Sequence, residues 1–479
     1  MFKPYDQAQK FLIPPSFQDF LGEWHRAIVL SEIIDRLEFR ELFASYANTL
    51  RWTSAYHPVM LVKILFYGYM NQTFSSRKLA EKTQSDLAFM FLAWGNKPDF
   101  RTINRFRKEK GWFLAPVFVQ IVRKAQELWL ISFSVVSIDG TKIYADASKS
   151  KNADLDSLEK QMKTLMEQAD EIDALEDKEF WEDDDGTGIP PELKTKEGRE
   201  KKRKEIEEKK KKTTEKQESV RQEIKRKAQE GIKMTRINST DSDSRLVQMK
   251  RKDWWNGYNP QLATENQFII TTTINNAASD VRELIPVLKA IEKDYGVVPE
   301  KVLADKGYAS EENYDYMKYQ EIDGYIPHSK IQQNLDGWKY SEKQDEYIDT
   351  EGNIYAFKQY SGSRIPRKRW RPTLSEPTKE SDFKTKVYQT KTKDRKSRFL
   401  QISKNWIDHC NAQDNKLSSE QGEELYKKRC HSVEPVFWNI KRNLKFERFS
   451  LRWLMWVTIE WNLITIAHNL KKIMNFQPA

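Results

Sequence analysis

Residues 150–230 cannot form the core of any domain. Lys, Glu, Asp and Gln dominate them, yet the segments on either side read as β-strand: SFSVVSIDGTKIYADA at 132–147 and WWNGYNPQLATENQFIITTTINN at 254–276. A sheet that stops and resumes around such a stretch needs an insertion whose two ends meet. A helical hairpin meets that need. Leu155, Leu158, Met162, Leu165, Ala169 and Ile172 recur in steps of three and four, a heptad seam of under three repeats. EDDDGTGIPPE at 182–192 then ends the helix with Gly and Pro, and a second charged helical run follows. The competing reading is a disordered charged linker, suggested by the sparse apolar content of the second arm.

Two apolar, β-branched runs in the strand-like host end in an acid. VVSIDGTKI carries Asp139 and KVLADKGY carries Asp305. A third acid, Glu434, lies in the helical stretch YKKRCHSVEPVFWNIK, among basic and aromatic residues. Two strand-end carboxylates and one helix carboxylate can converge on a pair of divalent ions. Such ions, about 3.5–4 Å apart, clamp the attacking and leaving oxygens of a phosphodiester. Magnesium suits this work because it prefers carboxylate oxygen and keeps sites for water and phosphate. Taken singly, each acid has a plainer reading: an Asp after a strand caps the next turn, and a Glu in a charged helix is solvated.

A helix, SDVRELIPVLKAIEKDYG, precedes Asp305, and another, EENYDYMKYQE, leads to the short strand DGYIPH. This alternation predicts a mixed α/β sheet. Residues 335–400 read as short strands and turns. Between Ser361 and Arg398 stand 13 Lys/Arg against 4 Asp/Glu. Residues 418–474 are helical again.

At 479 residues the chain is expected to hold two to four domains. Its net charge of +10 points first to nucleic acid and second to an anionic membrane, against the bland reading of a charged insertion. Cys410 and Cys430 form no CxxC pair. Neither a disulfide framework nor structural zinc is expected, and a reducing cytoplasm is the natural home. The first twenty residues lack a basic then apolar pattern, so no signal peptide is expected. LRWLMWVTIEWNLITIAHNL includes Arg452, Glu460, Asn462 and His468, which predicts a buried core helix rather than a membrane span.

Residues 15–125 read as short helices. Pro58 suits a first helical turn, and Ser75 or Ser76 suits an N-cap. KPDFRTINRFRKEKGWF predicts a last helix whose exposed face holds Arg101, Arg105, Arg107 and Lys108. Short helices with tight joints and a basic final helix suggest a helix-turn-helix-like DNA-binding region. An ordinary bundle with a solvated basic face is the alternative.

The order of these elements is that of an interrupted ribonuclease-H-like core, and here a resemblance becomes specific. The chain resembles the bacterial insertion-sequence transposases of the DDE type, in the IS-four-like superfamily and its branch numbered eleven-eighty-two. The amino-terminal stretch 56–108 resembles that branch's DNA-binding region. IDGTKIYADASK, NSTDSDSRLVQ, GYNPQLAT, LADKGYAS and VEPVFWNIKRN resemble its catalytic blocks. Tyr426, Arg429, Glu434 and Lys441 stand in the pattern Y-x2-R-x4-E-x6-K, close to the family's Tyr-Arg-Glu-Lys signature.

The resemblance implies an α/β fold with a ribonuclease-H-like catalytic core, divided as follows. Residues 1–128 form a helical DNA-end-binding domain, and 129–150 with 235–334 the first parts of the core. Residues 151–234 form the charged hairpin, 335–415 a basic β-rich insertion, and 416–479 the helical end of the core. It implies that Asp139, Asp305 and Glu434 bind two Mg2+ ions, for which Mn2+ can substitute. Arg429 and Lys441 would hold phosphates of the element's end, with Tyr426 at the backbone. Arg101, Arg105 and Arg107, with Arg367, Lys368 and Arg369 of the basic insertion, would contact DNA. Trp370, Phe383 and Tyr388 could stack on an unpaired base or belong to a strand core. The expected partners are double-stranded DNA and a second copy of the chain in the synapse, with no membrane, and the expected place is the cytoplasm, at the nucleoid. On a continuous helix Glu434 and Lys441 share nearly one face. Pro435 just inside a helix start would put Glu434 in a first turn, whereas the resemblance favours a helix that began earlier.

Two departures stand out. Relatives carry several Cys between the second Asp and the Glu; this chain has Asp349 and Thr350 there, so no zinc is expected. Relatives place Gly after Leu-Arg in the last block, where this chain has Trp453. A DDE nuclease that does not integrate, an inactive DNA-binding regulator, and a coiled-coil scaffold remain as other readings.

Overall fold

The structure, a computed structural model, describes residues 16–46, 55–181, 195–229, 234–249, 253–328 and 404–476, with short segments between 339 and 402. Its amino-terminal part is helical: α1 Arg26–Asp35, α2 Arg40–Ala44, α3 Pro58–Met70, α4 Ser76–Ser85, α5 Leu87–Leu92, α6 Phe100–Lys110 and α7 Leu114–Glu127. Pro58 occupies the first turn of α3, where its missing N–H leaves nothing unsatisfied. Apolar residues run all the way round α3, so it is buried on nearly every side. Ser75 is the N-cap of α4 without a side-chain capping bond. Asp86 and Asp99 cap α5 and α6, accepting from the N–H groups of Ala88 at 3.0 Å and Thr102 at 2.7 Å.

The central sheet begins with β1 Val135–Gly140 and β2 Ile143–Tyr144. After the insertion it continues through β5 Arg245–Gln248, β6 Trp254–Glu265, β7 Phe268–Asn275, α10 Leu284–Tyr295, β8 Lys301–Ala304, α11 Glu311–Tyr319 and β9 Asp323–Tyr325. Gln261 of β6 faces Gly140 of β1 on one edge and Thr273 of β7 on the other. The order across the sheet is therefore β7-β6-β1-β8-β9. β6 runs antiparallel to both neighbours, whereas β1, β8 and β9 are parallel. Parallel neighbours need a crossover, and α11 supplies it between β8 and β9. α10 ends on Gly296 at φ +72°, a left-handed cap that glycine adopts without a Cβ clash. β2 and β5 pair with the first half of β6.

The charged stretch is a helical hairpin, as expected, among its described residues: α8 Leu155–Trp181 packs on α9 Lys196–Gln229. Of the heptad seam, Leu158 and Ile172 are buried and the other four residues half-buried, while most residues between them are exposed. At its foot β3 Asn152–Asp154 pairs antiparallel with β4 Arg236–Asn238. That ribbon brings the two ends together, and Ala153, Leu158, Val220, Met234 and Ile237 form a small apolar cluster beside it.

A second, antiparallel sheet follows in chain order: β10 Lys339–Ser341, β11 Glu346–Ile348, β12 Ile354–Tyr360, β13 Lys386–Lys391 and β14 Ser397–Ile402. Arg367, Lys368, Arg369, Trp370 and Phe383 lie outside the described residues, and of Tyr388 only the backbone in β13 is described.

The carboxy-terminal helices are α12 Lys404–Ser418, α13 Glu420–Ser432, α14 Glu434–Trp438 and α15 Leu454–Phe476, with a π turn over Asn439–Asn443. α15 packs on α3, α7 and β7 and is the buried core helix expected of that stretch. Because of it, the amino-terminal helices and the sheet share one apolar cluster, from Leu21 to Ile473. Among the described residues no helix is long and apolar enough to cross a membrane. Trp453, which stands where relatives place glycine, has φ +65°, so the position itself demands the conformation glycine prefers. The N–H groups of Trp453 and Leu454 donate to Asp241 Oδ1 at 3.1 Å and Asp243 Oδ2 at 2.7 Å, which holds that turn at the start of α15.

Candidate active site

Asp139 and Asp305 come together because β1 and β8 are adjacent and parallel. Ile138 is level with Ala304, so the next residue of each chain segment is an Asp at the same strand end. Both acids also perform the local task of a turn acid: Asp139 Oδ1 accepts from the Gly140 N–H, and Asp305 Oδ1 from the Gly307 N–H, each at 2.8 Å. Burial pushes the Asp139 carboxyl up to about 6; Arg429 opposes that shift and Asp305 adds to it. The two carboxylates therefore feel each other across the strand ends.

Glu434 arrives from α13 and α14. Pro435 has no N–H to give to the carbonyl one turn back, so the helix breaks at Val433 and restarts with Glu434 in its first turn. This corrects the expectation of one helix begun earlier: α13 ends at Ser432. A π turn then widens the coil over Asn439–Asn443, the stretch that carries Lys441. The Glu434 side chain is 59% exposed.

Arg429 lies between the acids. Its Nη2 donates to Asp139 Oδ2 at 3.1 Å, and its Nη1 is 3.9 Å from Glu434 Oε1. Lys441 Nζ donates to Thr141 Oγ1 at 2.6 Å and to the Lys142 carbonyl at 3.0 Å, in the turn just after Asp139. Tyr426 is half-buried close to Arg429, Asp305 and Asp139, and burial raises its phenol above the ordinary range. Six of the residues singled out from sequence thus gather at one end of the sheet.

Among the described residues no three His, Cys, Asp or Glu side chains stand near enough together to hold one metal ion. The donor set nevertheless fits a hard divalent cation. It is all carboxylate oxygen, it sets two acids at neighbouring strand ends, and a guanidinium already occupies a cation's place between Asp139 and Glu434.

A buried polar bridge lies against the same strand ends and was not singled out from sequence. Tyr308, in the turn after Asp305, donates its hydroxyl to Gln261 Oε1. Gln261 Nε2 donates to Asp280 Oδ1 at 2.9 Å, and that oxygen also accepts from Asn259 Nδ2 at 2.5 Å and Lys142 Nζ at 3.3 Å. A Cβ on Gly140 would strike the Gln261 amide and lie 2.9 Å from Asp280 Oδ1, so a larger residue beside Asp139 would displace those side-chain ends. Glu283, next to this bridge, has its carboxyl raised to about 7 by burial and then by Asp280, against the pull of Lys142. No local pattern marks it: Asn259 and Gln261 share β6 with the buried polar residues Asn256, Thr264 and Glu265, and the partners of Gln261 lie on other elements.

The basic face of α6 needs correction. Arg101 and Arg105 are exposed, as expected. Arg107 is buried, only 4% exposed, and donates to the Tyr69 hydroxyl, the Phe74 carbonyl and Asn104 Oδ1, each at 3.0 Å. Its charge is committed to the interior, because it falls on the face of α6 that carries Ile103 and Phe106. Lys108 is half-buried, with its amine 4.2 Å from the centre of the Trp456 ring.

Residues 15–109 match the family model described as Transposase domain (DUF772), and residues 233–470 match the model described as Transposase DDE domain. The second span holds Asp305 and Glu434. It leaves out β1, which pairs directly with β8 inside that span. Neither a curated protein nor a solved structure matches the chain.

Proposed function

The chain belongs to the DDE transposases of insertion sequences, metal-dependent enzymes that cut and move DNA, and on that premise we propose that it binds the terminal inverted repeats of its element, cleaves the strands there and joins them to target DNA through Asp139, Asp305 and Glu434. The observation that carries this reading is the placing of Asp139 and Asp305 at the same end of adjacent parallel strands. The strand order β7-β6-β1-β8-β9 supports a ribonuclease-H-like core, with the hairpin and the second sheet as insertions. Within the family we assign the chain to the branch numbered eleven-eighty-two.

Asp139, Asp305 and Glu434 would hold two divalent ions, magnesium by the all-oxygen donor set, with manganese able to replace it. When bound, such ions activate water or a 3′-hydroxyl and stabilise the leaving oxygen of the phosphodiester. The protein's own residues do the rest. Arg429 and Lys441 flank the acids and hold phosphates of the element's end, Arg429 by a two-pronged guanidinium and Lys441 as a point charge. Tyr426 packs against the DNA backbone. Burial of Asp139 keeps bulk water from competing for its carboxylate. Arg101 and Arg105 on α6 bind the terminal repeat, in a helix-turn-helix-like region, and Arg367, Lys368 and Arg369 of the basic insertion track the DNA end. Two copies of the chain pair two ends in a synapse, at the nucleoid.

Precleaved element ends incubated with target DNA and Mg2+ test the reading. Covalent joining of the 3′ ends to the target is expected. Nicking of uncleaved ends without any joining would instead make the protein a DNA nuclease.

A further inference from the structure

The two strand ends that carry Asp139 and Asp305 are tied to each other by more than backbone. From the Asp305 side, Tyr308 closes the short turn, its N–H donating to the Asp305 carbonyl at 3.2 Å. Asn313, 1% exposed, donates through Nδ2 to the Tyr308 carbonyl at 2.6 Å and to the Val281 carbonyl at 2.8 Å. That fixes the turn against the segment that carries Asp280. From the Asp139 side, Gly140 leaves room for the Gln261 amide, and Lys142, in the turn that follows, pairs with Asp280 at 3.3 Å. Gln261, wholly buried, stands between the two, accepting from the Tyr308 hydroxyl and donating to Asp280. Every link has a defined direction: the phenol can only donate to the amide oxygen, and the amide nitrogen can only donate to the carboxylate.

We propose that Gln261 and Tyr308 are positioning residues whose buried bridge sets the separation of the Asp139 and Asp305 carboxylates, and so the affinity of that pair for divalent cations. The inference rests on the assignment of those two acids as metal ligands. Neither Gln261 nor Tyr308 touches metal or DNA in this account. They act through the two turns, in the way that outer partners of metal ligands tune affinity. A pair of like charges at adjacent strand ends otherwise relaxes apart, and only a rigid support keeps it ready for a cation.

The test uses the full-length protein, with Mn2+ as probe, its binding counted by electron paramagnetic resonance. Tyr308→Phe removes one oxygen and keeps the ring in the core, and Gln261→Glu keeps the shape but removes the donor to Asp280. Each is expected to weaken Mn2+ binding by about tenfold. The Mg2+ concentration for half-maximal nicking of end DNA should rise by a similar factor, while end binding in the absence of metal stays unchanged. A role confined to folding would lower the melting temperature and leave the Mn2+ affinity of the folded protein where it was. Mn2+ affinity and Mg2+ half-point within about twofold of the parent in Tyr308→Phe would overturn the inference; that variant decides alone if Gln261→Glu does not fold. Asp139→Asn run beside them separates the two claims. If it binds Mn2+ as the parent does, the assignment of the ligands fails; if only Asp139→Asn loses binding, the positioning role alone fails.

Discussion

His468 shows how a single residue can be fixed by its neighbours. Its Nε2 lies 2.9 Å from the Gln267 carbonyl, which can only accept, so the ring must carry its proton there. Its Nδ1 then accepts from the Asn439 amide at 2.9 Å. Burial pushes the imidazole down to about 4, from 6.5. Because the folded value lies below the unfolded one, the native state gains nothing from protons that the unfolded chain takes up. Stability is therefore full above 6.5 and falls as pH drops from 6.5 towards about 4. Between pH 7.5 and 5 the protein should lose about 2 kcal/mol through this residue. Denaturant melts of the parent and of His468→Gln at both pH values measure it: the loss should be smaller in the variant by that amount. Equal losses would show that His468 is not held neutral. Residues such as Asp139 and Asp305 were legible in the sequence because an apolar strand ending in an acid is an unusual local pattern. His468, Gln261 and Tyr308 were not, because what fixes them lies on other elements, brought near only by the fold.

At the scale of elements, α6 separates what periodicity can tell from what it cannot. The amphipathic pattern correctly gave a helix with one basic side. It could not assign Arg107, which sits at the edge of the apolar face and is drawn inside by Tyr69, Phe74 and Asn104. Tyr69 in turn faces Glu460 of α15, a carboxylate with no exposure that accepts from Ser450 and Leu451 N–H groups at 2.8 and 3.0 Å. Arg107→Ala should therefore cost about 3 kcal/mol of stability, since it removes the donor to the Phe74 carbonyl and the Tyr69 hydroxyl and the positive charge that offsets buried Glu460. Arg105→Ala should leave stability within about 0.5 kcal/mol and reduce the salt slope of end binding by about 1. Thermal melts and binding titrations across salt concentration check both. The reverse result, with Arg107 affecting only binding, would return it to the DNA-facing side. The hairpin was legible for a similar reason: its heptad seam is a local pattern, and α8 buries that side. The break at Val433 was visible as Pro435, but the π turn after it carries no sequence mark. Within it Lys441 reaches Thr141, while Ile440 and Leu444 are buried.

Across the whole molecule, the sheet joins what the chain holds apart. The long hairpin separates β1 from the strands it pairs with, and the β3–β4 ribbon closes that gap so that the sheet continues as if uninterrupted. The matched transposase domain begins after the insertion, at residue 233, whereas Asp139 lies before it. The shared apolar cluster means that the amino-terminal helices are packed directly on the sheet through α15, rather than hung from it by a linker. Motif order and strand order made the host sheet legible in the sequence. The shared core was not, since it depends on α15 returning from the far end of the chain. The central claim is that Asp139, outside the matched domain, completes the catalytic acids with Asp305 and Glu434. Strand cleavage of a labelled element end by Asp139→Asn in Mg2+ tests it most directly. The account predicts end binding close to that of the parent with cleavage abolished, whereas cleavage at the parent's rate would contradict it.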